Sequence, residues 1–417
     1  MPQISHLECS RCQHQISANT PQTLCPIDGG TLYVRYDMEA LRGTITRDTP
    51  GQRAAESHRS LGMWRYRDVL PEVTPVTLAE GWTPMLSSRR YEGLFVKEEG
   101  ANPTGTFKAR GMSMAVSMAK HYGLHHLAVP SAGNAAGALA AYAAAGQMAA
   151  HIFMPKDVPF ANYVEGMVYG SDVTMVDGLI SDCARLVGEH IKQQKATGVS
   201  PEETWFDIST LKEPFRVEGK KTMGYELVEQ LGWEYPDAVF YPTGGGVGLI
   251  GMWKAFEEME QLGLVSGKRP RMYALQAAGC APVAKAYDEG KNVSEFFQDA
   301  ETFAAGLRVP KPYGDSIILD IVRTSGGSVV ASDDAAILAS IKDWAKNEGI
   351  FLSPEGAAAT AAYDTLLGSG DIKRGERVVL FNTGAGLKYT DMTAEAMKLR
   401  RPELPTSLPV GGIITPV

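Results

Sequence analysis

Asn102-Pro103-Thr104-Gly105-Thr106-Phe107-Lys108-Ala109-Arg110 is the stretch that decides the fold, and it follows a strand-like segment at residues 93–98. The Pro/Gly turn places Lys108 beside Phe107 at the start of a helical pattern. A lysine held in this way can bond covalently through its amine to an aldehyde cofactor. A lone loop lysine is more often simply exposed. Two further motifs favour the functional interpretation.

The second motif is Pro130-Ser131-Ala132-Gly133-Asn134-Ala135-Ala136-Gly137. It follows the apolar run 127–129 and opens an alanine-rich segment at 135–145, which we expect to be helical. A strand, a Ser/Gly/Asn turn and a helix direct free backbone N–H groups toward whatever lies in the turn. Alternatively, it is an ordinary strand–helix loop in which Ser131 or Asn134 caps the helix.

The third motif is the glycine loop Thr243-Gly244-Gly245-Gly246-Val247-Gly248, between a strand at 238–240 and a helix at 249–258. Its glycines let several backbone N–H groups converge on one anion. It lacks the Gly-Lys-Ser/Thr of a P-loop and the glycine spacing of a dinucleotide site. The pattern therefore indicates a lone phosphate.

Together with Asn382-Thr383-Gly384-Ala385-Gly386 near the C-terminus, these motifs resemble the fold-type II pyridoxal-phosphate enzymes, and within them the threonine synthase family. The resemblance covers roughly residues 75–395. It implies that Lys108 bonds to the cofactor aldehyde, that Asn134 binds its 3'-oxygen and that the Thr383 hydroxyl meets its ring nitrogen. A hydroxyl there makes the cofactor a milder electron sink than a carboxylate would. The implied cofactor-binding residues are Phe107, Lys108, Asn134, Gly244, Gly245, Gly246, Val247, Gly248 and Thr383.

Alternating strand and helix patterns predict an α/β protein with parallel sheets covered by helices. The resemblance implies two doubly wound parallel-sheet domains, like those of the β-subunit of tryptophan synthase. A chain of 417 residues is too long for one hydrophobic core. We expect a ribbon-like segment at residues 1–36, a large cofactor-binding domain from 37–110 and 215–400, a small mobile domain at 111–214, and an extended tail at 401–417.

The resemblance implies a carbon–oxygen lyase of threonine biosynthesis that converts O-phosphohomoserine and water to threonine and phosphate. Ser131, Ala132, Gly133 and Arg216 would bind the substrate, although Arg216 could equally be a surface residue at a helix start. Ala135 and Leu211 stand where the family commonly has threonine and serine. Their lack of hydroxyls leaves a serine/threonine dehydratase or a β-replacement enzyme open as the alternative. A third and less favoured alternative is a regulator that binds the cofactor without catalysing a reaction.

Glu355, in Pro354-Glu355-Gly356-Ala357, resembles an acidic segment of the dehydratases. It is either a proton donor or a carboxylate that stabilises a helix start, and the second is favoured.

Cys9, Cys12, Cys25 and Asp28 have the spacing of a zinc ribbon with aspartate in the fourth ligand position. Three interpretations remain open: a zinc site of three cysteines and this aspartate, a site completed by His6 or His14, or a ribbon without metal. Zinc is therefore a doubtful second cofactor. Cys183 and Cys280 are expected to be core residues.

A net charge of −8 argues against a nucleic-acid partner and against binding to anionic membranes. The first residues have no apolar signal-peptide core, and five cysteines do not make a disulfide framework. We therefore expect a cytoplasmic enzyme with a small amino-acid substrate, assembled as a homodimer.

Overall fold

The computed structural model describes residues 4–131, 133–156 and 158–399. The predicted tail at 401–417 and the predicted substrate residue Ala132 lie outside this part of the chain. No helix in the described ranges is both long enough and apolar enough to cross a membrane.

The described strands form three sheets, whose strand orders are β2-β1-β3, β12-β11-β10-β13-β5-β4 and β8-β7-β6-β9. The strands are β1 Ile4–Cys9, β2 Gln15–Ile16, β3 Leu32–Tyr36, β4 Met85–Ser87, β5 Leu94–Glu98, β6 His126–Pro130, β7 Ala149–Pro155, β8 Asp172–Val176, β9 Phe206–Asp207, β10 Ala238–Pro242, β11 Arg271–Ala277, β12 Val329–Ser332 and β13 Val378–Asn382.

Helices cover the sheets and connect the parallel strands. They are α1 Met38–Leu41, α2 Thr49–Glu56, α3 Lys108–His121, α4 Asn134–Gly146, α5 Phe160–Val168, α6 Ile180–Ala196, α7 Phe215–Gln230, α8 Val247–Gln261, α9 Pro282–Asp288, α10 Asp315–Ser325, α11 Asp334–Glu348, α12 Pro354–Ser369 and α13 Thr390–Ala396. Short 3-10 helices lie at His58–Ser60, Met63–Val69, Glu99–Ala101, Ala305–Leu307 and Gly386–Tyr389.

The six-stranded sheet is the centre of the larger part of the molecule. Its middle strand β10 is buried along its whole length. Val239 packs into the apolar core on one face and Phe240 into the core on the other, because successive side chains of a strand point to opposite faces. A continuous apolar run is what a parallel strand covered on both sides requires.

The four-stranded sheet, at residues 126–207, is parallel throughout and has its own core, built largely from the alanines of α4. The predicted sheets are thus present, as is the alternation of strands and helices. One detail differs: β4 runs antiparallel to β5 at the edge of the large sheet. An edge strand has a partner on one side only, so it can pair in either direction.

The predicted N-terminal ribbon is a three-stranded antiparallel sheet. Its buried residues Leu7, Leu32 and Val34 share one core with Met114 of α3 and Phe215 of α7. The ribbon is therefore packed against the two helices that begin next to the predicted site.

Candidate active site

The three predicted motifs meet in one cavity, at the carboxyl ends of β5, β10 and β13, where ligands of open α/β sheets bind. All nine predicted cofactor residues line it, together with six further residues. The lining residues are Phe107, Lys108, Asn134, Tyr241, Pro242, Gly244, Gly245, Gly246, Val247, Gly248, Gly306, Leu307, Glu355, Thr383 and Tyr389.

Lys108 is the first residue of α3, and a buried charge cluster fixes the turn that presents it. Two residues on, Arg110 donates to Glu99 at 2.6 Å and to Glu226 of α7 at 2.8 Å, and all three side chains are fully buried. A buried pair that loses one partner is strongly destabilised, so this cluster resists rearrangement. It holds the lysine turn against α7.

The electrostatics around Lys108 favour the neutral amine. Burial and the nearby Arg216 guanidinium lower the pKa of Lys108 to about 7, although the Glu355 carboxylate opposes the shift. Its Nζ lies 4.5 Å from the centre of the Phe107 ring. A neutral amine is the form that attacks a carbonyl and accepts a proton.

Lys220 of α7 is a second buried lysine at this site, and the sequence interpretation gave it no role. Its Nζ donates to the backbone carbonyl of Phe107 and lies 4.2 Å from the centre of the Phe107 ring. Burial, followed by the charges of Lys108 and Arg216, holds the pKa of Lys220 well below its usual value. Lys220 thus secures the residue immediately before Lys108.

The glycine loop forms an anion cradle at the start of α8. Gly246 has a φ of +78°, and the first N–H groups of the helix have no intrahelical acceptor. A Cβ on Gly248 would lie 1.9 Å from the Tyr241 hydroxyl, so this position excludes a side chain. Converging N–H groups at a helix N-terminus bind a phosphate well.

Asn134 lies at the start of α4, on the opposite side of the cavity. Its Nδ2 donates to the Tyr389 hydroxyl at 2.5 Å, and its buried Oδ1 has no partner within the described ranges. Tyr389 lies three residues after Gly386 of the C-terminal motif, and the sequence gave no sign of this contact. Ser131 uses its hydroxyl within its own turn, accepting from the N–H groups of Gly133 and Ala136. Ser131 and Gly133 do not line the cavity.

Thr383 and Glu355 enter the cavity from β13 and α12. Thr383 is buried, and its backbone carbonyl accepts from the Phe107 N–H at 3.0 Å. Glu355 lies in the first turn of α12, as the helix-start interpretation predicted, and its Oε1 accepts from the Gly306 N–H at 2.8 Å. Burial raises the pKa of Glu355. The residue therefore lies at a helix start and also within the site.

Arg216 is fully buried, so its interpretation as a surface arginine is wrong. Nη1 donates to the Ile208 carbonyl at 2.9 Å, while Nε and Nη2 have no partner in the part of the chain that the structure describes. Burial lowers the pKa of Arg216 to about 10, a shift that the charges of Glu213 and Asp207 oppose. It remains cationic at neutral pH with two free donors close to Lys108, which is the pattern expected of an anion-binding residue.

The cavity suits pyridoxal phosphate on several observations. A neutral lysine amine, a glycine cradle and an unpartnered amide oxygen match the aldehyde, the phosphate and the ring hydroxyl of that cofactor. Thr383 would face the ring nitrogen with a hydroxyl. Lys108, Asn134, Gly244 to Gly248 and Thr383 would hold it.

The comparisons with known proteins agree with this geometry. A family model described as pyridoxal-phosphate dependent enzyme matches residues 76–384. The threonine synthase of Methanocaldococcus jannaschii is 33% identical over 378 residues, covering 88% of this chain and 89% of that protein. The threonine synthase of Mycobacterium tuberculosis is 33% identical over 341 residues, covering 80% of this chain and 89% of that protein.

Solved structures share the fold at lower identity. A serine racemase from maize superposes with a TM-score of 0.61 at 21% identity, covering 85% of this chain and 98% of the other. A threonine deaminase from Solanum lycopersicum gives a TM-score of 0.60 at 21% identity, covering 76% and 88%. At this identity the likeness is evidence for the fold alone.

Proposed function

The chain belongs to the threonine synthase family of pyridoxal-phosphate-dependent enzymes, and we propose that it converts O-phosphohomoserine and water to threonine and phosphate. The observation that carries the proposal is the buried Arg216. Its Nε and Nη2 have no hydrogen-bond partner among the described residues, and its charge lowers the pKa of the cavity residue Lys108 together with burial, which has the larger effect. A desolvated guanidinium with two free donors is unfavourable unless an anion binds there. The phosphate of the substrate is such an anion.

We assign the steps to residues of the chain as follows. The carboxylate of the substrate lies against the turn at Ser131–Asn134, where the N-terminus of α4 presents N–H groups. When bound, pyridoxal phosphate supplies an electron sink that stabilises negative charge at the substrate Cα. The neutral Lys108 amine accepts the Cα proton, since its lowered pKa leaves it unprotonated above about pH 7.

Arg216 acts on the substrate phosphate at two stages. It binds the γ-phosphate in the ground state and stabilises the charge that develops as the carbon–oxygen bond breaks. A hydroxyl at Thr383, rather than a carboxylate, does not fix a proton on the cofactor ring, which favours elimination over transamination. Phe107 and Lys220 keep Lys108 in position through the contacts of the turn.

A serine/threonine dehydratase or a β-replacement enzyme is the second candidate. It is favoured by Ala135 and Leu211, neither of which can donate a hydrogen bond from its side chain. The Leu211 side chain is 1% exposed and packs in the apolar core. The phosphate site therefore has fewer donors than the family pattern, and Arg216 has to supply more of the binding.

A product analysis tests the proposal. The holoenzyme is incubated with O-phosphohomoserine in deuterated water and followed by proton NMR. We expect threonine labelled at Cα and in the γ-methyl group, with one phosphate released per threonine. The contradictory result is no turnover of this substrate together with keto-acid formation from serine or threonine. Lys108→Ala is the control and should be inactive on every substrate.

We also propose a cytoplasmic homodimer. No disulfide joins any of the five cysteines, all of which lie in the described part of the chain, and this fits a reducing compartment. The family resemblance supports a dimer. Light scattering on the purified protein should give about twice the monomer mass of 45.0 kDa. The reaction uses pyridoxal phosphate alone, and a zinc ion at the N-terminal cysteines would have a structural role.

A further inference from the structure

The N-terminal ribbon brings four potential metal ligands together. One ligand atom from each of Cys9, Cys12, Cys25 and Asp28 lies within 4.8 Å of the other three. Neither His6 nor His14 belongs to this group, so the structure favours Asp28 as the fourth ligand among the alternatives left open by the sequence.

The distances fit one tetrahedral ion. Ligands about 2.0–2.3 Å from a zinc ion lie about 3.3–3.8 Å from one another in a tetrahedron. The sulfurs of Cys12 and Cys25 are 3.6 Å apart, and the Cys9 sulfur is 3.3 Å from Asp28 Oδ1. Three thiolates select zinc over hard cations such as magnesium or calcium, which prefer oxygen ligands.

The backbone around the ligands has the form of two tight metal-binding turns. The Arg11 N–H donates to the Cys9 sulfur at 3.4 Å, and the Gln13 N–H donates to the Cys9 carbonyl at 3.1 Å. In the second turn, the Gly30 N–H donates to Asp28 Oδ1 at 2.8 Å. Such outer contacts orient the ligands and stabilise their negative charge.

The ribbon also touches the two loops that flank the cofactor cavity. Thr31 Oγ1 donates to the Leu211 carbonyl at 3.1 Å, and Leu211 has a strained φ of +62°. On the same loop, the Thr210 methyl lies 3.4 Å from the position a Cβ on Gly245 would take, within the anion cradle. The ribbon thus contacts the loop that packs on the cradle.

The second loop follows Gly306 and Leu307, which line the cavity. Its Tyr313 hydroxyl donates to the carbonyl of Gly29, the residue directly after Asp28. A Cβ on Gly314 would lie 2.5 Å from Leu211, so the two loops are in contact. Both are therefore held by residues next to the ligand turns.

We propose that Cys9, Cys12, Cys25 and Asp28 bind one structural zinc ion, and that this ion holds the 209–213 and 305–315 loops in place against the phosphate cradle. Without the ion, the two turns lose the cross-link between them. The carbonyl of Gly29 and the hydroxyl of Thr31 would then no longer be fixed. The bracing part rests on the proposed cofactor site, whereas zinc binding does not.

Metal analysis of the full-length protein, purified under reducing conditions, tests zinc binding. We expect one zinc per chain, and a cobalt-substituted protein with thiolate-to-cobalt charge-transfer and tetrahedral d–d absorption. Asp28→Ala should weaken zinc binding by at least about 100-fold, since even outer contacts contribute 10- to 100-fold. Asp28→Cys should keep one zinc per chain, because cysteine also supplies a ligand. This variant keeps the test valid even if Asp28→Ala folds poorly. Cys183→Ser, in α6, is the matched control and should retain one zinc.

Hydrogen exchange of the holoenzyme, with and without a zinc chelator, tests the bracing. We expect faster exchange in peptides covering 209–213 and 305–315 after chelation, and no change in peptides of α6. Metal-free protein that gains no zinc on reconstitution overturns the site. Stoichiometric zinc whose removal leaves both loops equally protected overturns the bracing. Neither result depends on turnover. A failure of the zinc proposal can therefore be distinguished from a failure of the proposed reaction.

Discussion

Arg216→Met is the change that most directly tests the proposed substrate site. Methionine keeps much of the stem volume but removes both unpartnered donors, Nε and Nη2. A charge-assisted hydrogen bond contributes about 1.5–3 kcal/mol, so two of them contribute about 3–6 kcal/mol. At about 1.4 kcal/mol per tenfold change, kcat/KM for O-phosphohomoserine should fall about 10²- to 10⁴-fold.

The fold should survive this substitution. Burial already raises the pKa of the neighbouring Glu213 to about 7, and the Arg216 charge opposes that shift. Without the arginine, Glu213 can take up a proton instead of remaining as an unpaired buried charge. Its carboxylate oxygens also accept from the backbone N–H groups of Phe215 and Arg216, contacts that do not require the guanidinium.

Phosphate release under steady-state conditions is the assay, with cofactor affinity and thermal unfolding measured on the same preparations. Arg216→Lys is the matched variant: it keeps a cation without the planar pair of donors and should fall between the wild type and Arg216→Met. The reasoning is refuted if Arg216→Met binds cofactor normally and retains kcat/KM within about threefold. An equal loss of kcat/KM on a substrate without phosphate would also contradict a role of Arg216 in phosphate binding.

Three further predictions follow from the cofactor cavity. Burial lowers the pKa of Lys108 to about 7, so cofactor capture by the cofactor-free protein should accelerate as pH rises through about 7 and then level off. Stopped-flow absorbance measures this rate, and a rise that continues to about pH 10, where an ordinary lysine titrates, would contradict the prediction. Thr383→Val should weaken cofactor binding about 2- to 10-fold in a fluorescence titration, as expected for one neutral hydrogen bond, and Thr383→Ser should not. Gly248→Ala should lower the unfolding free energy by about 1–3 kcal/mol in urea titrations, because its Cβ would meet the buried Tyr241 hydroxyl. Gly245→Ala, whose Cβ would have its nearest contact at 3.4 Å, is the control and should unfold like the wild type.

The parts of the site that depend on local backbone geometry were predictable from the sequence. The strand expected at 238–240 is β10, Ala238–Pro242, and the helix expected at 249–258 is α8, Val247–Gln261. The alanine-rich segment is α4, Asn134–Gly146. In each case a strand, a Gly- or Ser-rich turn and a helix are adjacent in the chain, so the pattern can be recognised from the local sequence.

Helix α7 shows why the rest could not be predicted. Its first half carries Arg216, Glu218, Lys220 and Lys221, a composition that by periodicity alone indicates a solvent-facing surface. In the structure α7 is buried from Phe215 to Val228, and Glu218 and Lys221 form ion pairs with Lys254 and Glu258 of α8. Tyr36 of the ribbon, for example, donates to Glu218 at 2.6 Å. Long-range pairing of this kind leaves no local signal.

The charge balance of the site bears on the choice between the two candidate functions. Burial lowers the pKa of both Lys108 and Lys220, and the charge of Arg216 adds to both shifts. Among the described residues that line the cavity, Glu355 carries the one carboxylate. A phosphate dianion bound at Arg216 would offset the positive charge around Lys108. A hydroxy-amino acid brings only the single charge of its carboxylate, which a phosphorylated amino acid also carries. The cationic surroundings of Lys108 are therefore better explained by a phosphorylated substrate than by serine or threonine.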